Sequence, residues 1–189
     1  MTNQPDFDIK STERISKEFV ERDILTFKQA VLFVRQLTYG RNEDKNNLDS
    51  VFTDNCGTCS TKHALLKRLA DENNFEKIKL IVGLFKMNEK NTPEISATLS
   101  QNKLKYIPEA HCYLKINQFP VDATTSDSFY DKIKHDILEE IEIIPNQVSD
   151  FKVAYHKAFL KKWITETNQN NTFEEIWEIR EQCISKLSE

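Results

Sequence analysis

The sequence predicts an α+β domain, and three observations carry that prediction. Apolar residues recur at helical spacing near both ends of the chain, β-branched apolar runs occupy its middle, and two of those runs are separated by only two residues, the spacing of an antiparallel hairpin. The 189 residues, 39% of them hydrophobic and 30% charged, are enough for one domain and speak against wholesale disorder.

A helical pattern begins at Ser11 after ten polar residues that read as a loose N-terminus. Thr26 to Leu37 places Phe27, Ala30, Val31, Phe33, Val34 and Leu37 on one broad apolar face, and Gly40 closes it. Arg41 to Asn55 is polar and without period, a long loop with an apolar island at Val51-Phe52. Thr58 or Ser60 is placed to cap a helix running to about Glu72, with Ala64, Leu65, Leu66, Leu69 and Ala70 inward. Lys77 to Met87 reads as a strand, and Pro93 as the start of a short helix to Gln101. Ala110 to Ile116 and Phe119 to Thr124 form the hairpin around Asn117-Gln118, and Ile137 to Ile144 alternates weakly as a further strand. Two helices close the chain within a helical segment at about 149–187; the second opens on the capping box Thr172-Phe-Glu-Glu175. Residues 11–189 are thus one domain.

Composition narrows the function. With 26 Lys+Arg against 30 Asp+Glu the chain lacks the basic excess of a dedicated nucleic-acid binder. The three glycines, Gly40, Gly57 and Gly83, are too scattered for a phosphate-binding loop or a dinucleotide fingerprint. Neither a signal-peptide pattern nor a run of about 18 apolar residues is present, which predicts a cytoplasmic protein without a membrane partner. In that reducing compartment Cys56, Cys59, Cys112 and Cys183 are thiols, ligands or catalysts before they are disulfides.

Cys59 stands at the first turn of the predicted helix, beside unsatisfied N–H groups and the positive end of the helix dipole, both of which favour a thiolate. The same N–H groups, that of Cys59 included, are available to an oxyanion formed when the thiolate attacks a carbonyl. In the hairpin, a turn at Asn117-Gln118 makes cross-strand partners sum to 235, so His111 and Asp122 are diagonal neighbours on one face, within side-chain reach. A carboxylate there fixes one imidazole nitrogen and leaves the other for a thiol.

Gly57-Thr-Cys59-Ser with its Ala-Leu-Leu helix, the strand bearing His111, and Val121-Asp-Ala-Thr124 together resemble the core of the transglutaminase-like superfamily of cysteine enzymes. The resemblance covers roughly residues 55 to 125. It implies a papain-related α+β fold in which a helix-start cysteine packs on an antiparallel sheet, here with flanking N- and C-terminal helices. It also implies a triad of Cys59, His111 and Asp122, and membership of a group that includes peptidases, amidases, acyl transferases and inactive relatives. The expected function is a cysteine-dependent hydrolase or acyl transferase acting on a peptide, amide or small-molecule acyl substrate, with no metal or organic cofactor.

Other readings compete with this one. A non-catalytic binding domain could keep the fold with a disabled cleft. Cys56-Gly-Thr-Cys59 also has the spacing of a thiol–disulfide redox pair, with Cys56 attacking. Cys56, Cys59 and His63, completed by His111 or Cys112, have plausible spacing for zinc, and His63 is a secondary candidate base. Cys112 is expected on the opposite strand face from His111 as a core thiol, and Cys183 as helix packing. Tyr113 is a core aromatic or lines the site, Arg41 and Asn42 are loop donors or a surface turn, and His135 and His156 have no visible partners. Trp163 and Trp177 read as core anchors, and Lys157, Lys161 and Lys162 as a solvated helix face.

Overall fold

Helices and strands of the computed structural model, which describes residues 6–187, begin with α1 (Arg14–Val20), α2 (Phe27–Gln36), β1 (Thr38–Tyr39), α3 (Ser50–Thr53), β2 (Cys56–Gly57) and α4 (Cys59–Glu72). They continue with β3 (Ile78–Met87), α5 (Ser96–Gln101), β4 (Ile107–Ile116), β5 (Phe119–Val121), α6 (Phe129–Ile133), β6 (Ile137–Ile143), α7 (Asp150–Glu166) and α8 (Phe173–Lys186). The domain is α+β, as the sequence predicts: an antiparallel sheet in the order β5-β4-β3-β6 with helices flanking it. No described helix is long and apolar enough to cross a membrane.

The central pair β3 and β4 is matched along its whole length, from Ile78 opposite Ile116 to Met87 opposite Ile107. Alternation along these strands feeds two cores. Leu80, Val82, Leu84, Ala110, Cys112 and Leu114 pack with Ala64, Leu65, Leu66 and Leu69 of α4 and with α1 and α2. Phe85, Met87 and Ile107 belong to a second core with Ile133, Leu160, Trp163, Ile176 and Cys183. Because both faces are covered, β3 reads as a continuous apolar run, whereas β6 lies at the edge and carries Glu139, Glu140 and Glu142. Leu65, Leu66 and Leu69 are fully buried, each contributing about 1.5–3 kcal/mol, so α4 is a rigid platform for the residue at its start.

The hairpin register is the expected one: Ile116 faces Phe119 and Leu114 faces Val121. Asn117 and Gln118 both take positive φ, 49° and 71°, as a type I′ turn requires. Capping boxes open α2 (Thr26 with Gln29), α4 (Thr58 with Thr61) and α8 (Thr172 with Glu175). No side chain at its own N-cap serves α1; Glu72, at the far end of α4, accepts from the Ile15 and Ser16 N–H groups at 3.1 and 2.7 Å.

Several expectations are corrected. Of the N-terminal ten residues read as loose, 1–5 lie outside the described residues, but Phe7 stacks on Phe27 and Phe75, and the Ile9 N–H donates to the Leu25 carbonyl at 2.8 Å. The loop from Arg41 to Asn55 contains α3, where the Val51-Phe52 island turns inward, and it leads into a short parallel ladder between β1 and β2. The second hairpin strand ends at Val121, so Asp122 lies just beyond it and not within it. The five-residue α6 has no counterpart in the sequence reading; it brings Phe129 and Tyr130 to the site described next.

Candidate active site

Cys59 is the first residue of α4, its direction set by the Thr58–Thr61 box before it. Gly57 is needed there for space and not for a left-handed turn: a Cβ would lie 2.9 Å from Lys62 Cγ and 3.0 Å from Thr61 Oγ1. Lys62, fully buried, ties this turn down by donating to the Leu37 and Thr124 carbonyls at 2.6 and 2.8 Å, and burial draws its pKa to about 8. Asn42 is a strut of the same turn, accepting from Thr61 Oγ1 at 2.7 Å and donating to the Cys56 carbonyl at 3.0 Å.

β4 brings His111 to this turn. Its Nε2 meets Asp122 Oδ2 at 2.8 Å, which leaves Nδ1 for the Cys59 thiol within hydrogen-bonding reach. Asp122 is almost fully buried and saturated: Oδ2 also accepts the Tyr130 N–H at 2.8 Å, while Oδ1 accepts the Thr124 N–H and hydroxyl at 2.9 and 2.6 Å. Phe129 packs edge-on against the imidazole from α6, and Tyr113 stacks on it from the next inward position of β4. Tyr113 has room because Gly83 lies beneath it, where a Cβ would approach the phenol oxygen to 2.9 Å. Its hydroxyl donates to Glu140 and the residue is fully buried, so it supports His111 without lining the cleft.

The electrostatics follow from this packing. Burial raises the Asp122 carboxyl, but His111 and its hydrogen bond outweigh that and hold it far below the usual range. Burial opposes charge on His111, yet Asp122 and Cys59 prevail and raise it to about 9. Cys59 is pulled well below an ordinary thiol, first by the hydrogen bond from Cys112 and then, against burial, by Lys152 and His111. The same contact pushes Cys112 up. A thiolate–imidazolium pair is the state these shifts favour at neutral pH.

The structure brings together all three residues singled out for the triad, and it adds others. Lys152 on α7 donates to Ser60 Oγ at 2.8 Å and to Cys59 Sγ at 3.8 Å. Cys112 is a core thiol as expected, but it also reaches the site, with Sγ 3.6 Å from Ser60 Oγ. Tyr39 of β1, the carboxylate of Glu109 and the guanidinium of Arg180 line the same cleft of about 380 Å3. Glu109 and Arg180 form a two-pronged pair at 2.7 Å; burial opposes the charge on Glu109, but Arg180 holds its pKa at about 2. Phe85, Met87, Phe129, Ile184 and Leu187 supply the apolar wall.

Other candidates fall elsewhere. His63 is fully buried, Nδ1 donating to the Cys59 carbonyl and Nε2 accepting the Ala123 N–H, each at 2.7 Å; Nε2 also lies 3.5 Å from Asp122 Oδ1, so the neutral ring packs behind the triad and does not face the cleft as a base. Cys56 Sγ sits beside Gly40 and 4.0 Å from the Arg41 carbonyl. All four cysteines are free thiols, and among the described residues no group of three or more His, Cys, Asp or Glu side chains is arranged around a metal position. Arg41 pairs loosely with Glu181 at 3.4 Å at the rim. His156 has a partner after all, the Pro108 carbonyl at 2.9 Å, whereas His135 is exposed. Trp163 and Cys183 are core, and Trp177 is half-buried beneath Lys157 and Arg180. The lysine face expected to be solvated is thus partly engaged: Lys157 lies over Trp177 and Lys161 over Phe173.

No family model, curated protein or solved structure matches the chain.

Proposed function

We propose that the protein is a cysteine-dependent hydrolase or acyl transferase of the transglutaminase-like kind, acting on an amide or ester carbonyl. The observation that carries this reading is a helix-start thiol and an imidazole lining one cleft, with a buried carboxylate bonded to that imidazole at 2.8 Å from behind. In the proposed cycle the Cys59 thiolate attacks the carbonyl carbon and a Sγ–C bond forms. The carbon–nitrogen or carbon–oxygen bond of the leaving group breaks, and His111 Nδ1 delivers its proton to that group. Water, or an acceptor amine, then gives a proton back to Nδ1 as it attacks the thioester; the Sγ–C bond breaks, the acid or amide product leaves, and the Cys59 thiolate is restored beside the His111 imidazolium. Asp122 holds the ring in one tautomer and orientation throughout. The apolar wall beside His111 fits an acyl group with an apolar side chain, and the four free thiols fit the reducing cytoplasm.

Iodoacetamide labelling across pH, with the modified cysteine mapped, tests the ion pair. Cys59 should be alkylated rapidly and first at pH 6, where an ordinary thiol with a pKa of about 8.5 is almost wholly protonated. Labelling only above about pH 8, or preferential labelling of Cys56, would count against the triad, the second in favour of the redox reading.

A further inference from the structure

Lys152 has no place in the triad, yet its ammonium lies 3.8 Å from the sulfur of the nucleophile. It reaches the site from α7, 93 residues further along the chain, and is held by Ser60 Oγ at 2.8 Å. An ammonium has three donors. One goes to Ser60 and one points to Cys59 Sγ at 3.8 Å, which leaves a third directed by neither. We infer that Lys152 is a catalytic electrophile, which donates to the oxyanion formed when Cys59 adds to an acyl carbonyl.

The inference rests on the acyl-transfer reading, and geometry supports it. In the tetrahedral intermediate the oxyanion lies about 2.6 Å from Sγ, so a donor 3.8 Å from Sγ can also stand within about 2.7–3.1 Å of that oxygen. Charge supports it as well. As the Sγ–C bond forms, the carbonyl π pair moves to oxygen, and the negative charge that faced Lys152 on sulfur is transferred to an atom still within its reach. When the intermediate collapses, that pair re-forms the carbonyl as the leaving group departs with the proton from His111. Around the ammonium lie Cys112, Glu109 and Tyr39, and the site's thiols keep it protonated above its usual range despite burial. The unpaired N–H groups of Cys59 and Ser60 at the start of α4 are the natural second donors.

Two reactions of the same sulfur separate this role from simple activation of the thiol. Acetylation by p-nitrophenyl acetate passes through an oxyanion; alkylation by iodoacetamide displaces iodide from a saturated carbon and does not. In Lys152→Met the high-pH plateau of the p-nitrophenolate burst should fall about 10²-fold, while the alkylation plateau is unchanged and only its midpoint moves up. Lys152→Arg keeps the charge without the compact point donor, and its burst should lie between the two; it is read in the same way if the methionine variant does not fold. Equal losses in the two plateaus, or no loss in either, overturn the role of Lys152 while leaving the triad standing. No burst in the parent protein overturns the acyl-transfer reading itself, and the role of Lys152 with it.

Discussion

Asp122→Asn should lower the rate of acylation by about 10⁴-fold at pH 7, because the tautomer of His111 reverses. Asp122 uses four acceptor positions: His111 Nε2 and the Tyr130 N–H on Oδ2, the Thr124 N–H and hydroxyl on Oδ1. An amide can serve only one of these pairs with its oxygen. If that oxygen faces Thr124, the amide N–H2 faces two donors, and His111 can relieve one conflict only by giving up its Nε2 proton. Nδ1 then carries hydrogen toward Cys59 and cannot take up the thiol proton. With the oxygen toward Thr124 the Tyr130 N–H is left unsatisfied, and with it toward His111 the Thr124 N–H is, so the variant also loses stability, by about 3–5 kcal/mol for a broken buried pair.

That loss depends on pH in a defined direction. The folded pKa of Asp122 is depressed, so its contribution is present above the unfolded value of about 3.9 and disappears as pH falls through the acid range. The folded pKa of His111 is raised to about 9, so its contribution is complete below the unfolded value of about 6.5 and fades as pH rises through 9. Denaturant unfolding of the parent protein and Asp122→Asn should therefore differ most between about pH 4 and 6.5, and the gap should narrow, without closing, as pH rises through 9. A gap that widens as pH rises above about 6.5 would contradict the assignment of charge.

His111→Ala removes the base and the positive charge that stabilises the thiolate together. Acylation at pH 7 should fall by about 10²–10⁴-fold. The midpoint of Cys59 alkylation should rise, but not all the way to an ordinary thiol, because Lys152 and the Cys112 hydrogen bond remain. Stopped-flow acylation and iodoacetamide titration of the variant check both statements; an unchanged midpoint would mean that His111 does not share its proton with Cys59.

The parts of the site encoded by local chemistry are the parts legible in the sequence. Thr58, one of two candidate caps in the sequence, marks the start of α4 and so the position of Cys59, and a two-residue turn fixes a register from which the meeting of His111 and Asp122 follows. Lys152 could not be found this way. Its place depends on how α7 docks, and on its own helix it is one cation among Lys157, Lys161 and Lys162. Glu109 and Arg180 pair across 71 residues, again with no local signature. The two-residue strands β1 and β2 and the five-residue α6 are shorter than two periods of their patterns, so no repeat can reveal them. For the docked N-terminus a signal was present: Phe7 and Ile9 alternate with charged Asp6, Asp8 and Lys10, a half-buried extended pattern outweighed by the polar composition around it.

The central claim is that Cys59 carries an acyl group during turnover. Brief exposure to p-nitrophenyl acetate at pH 6, acid quenching and peptide mass analysis test it most directly. One acetyl group per chain, on Cys59 and removed by hydroxylamine, is the predicted result. Acetylation of surface lysines alone, or of Cys56 in preference to Cys59, would contradict it.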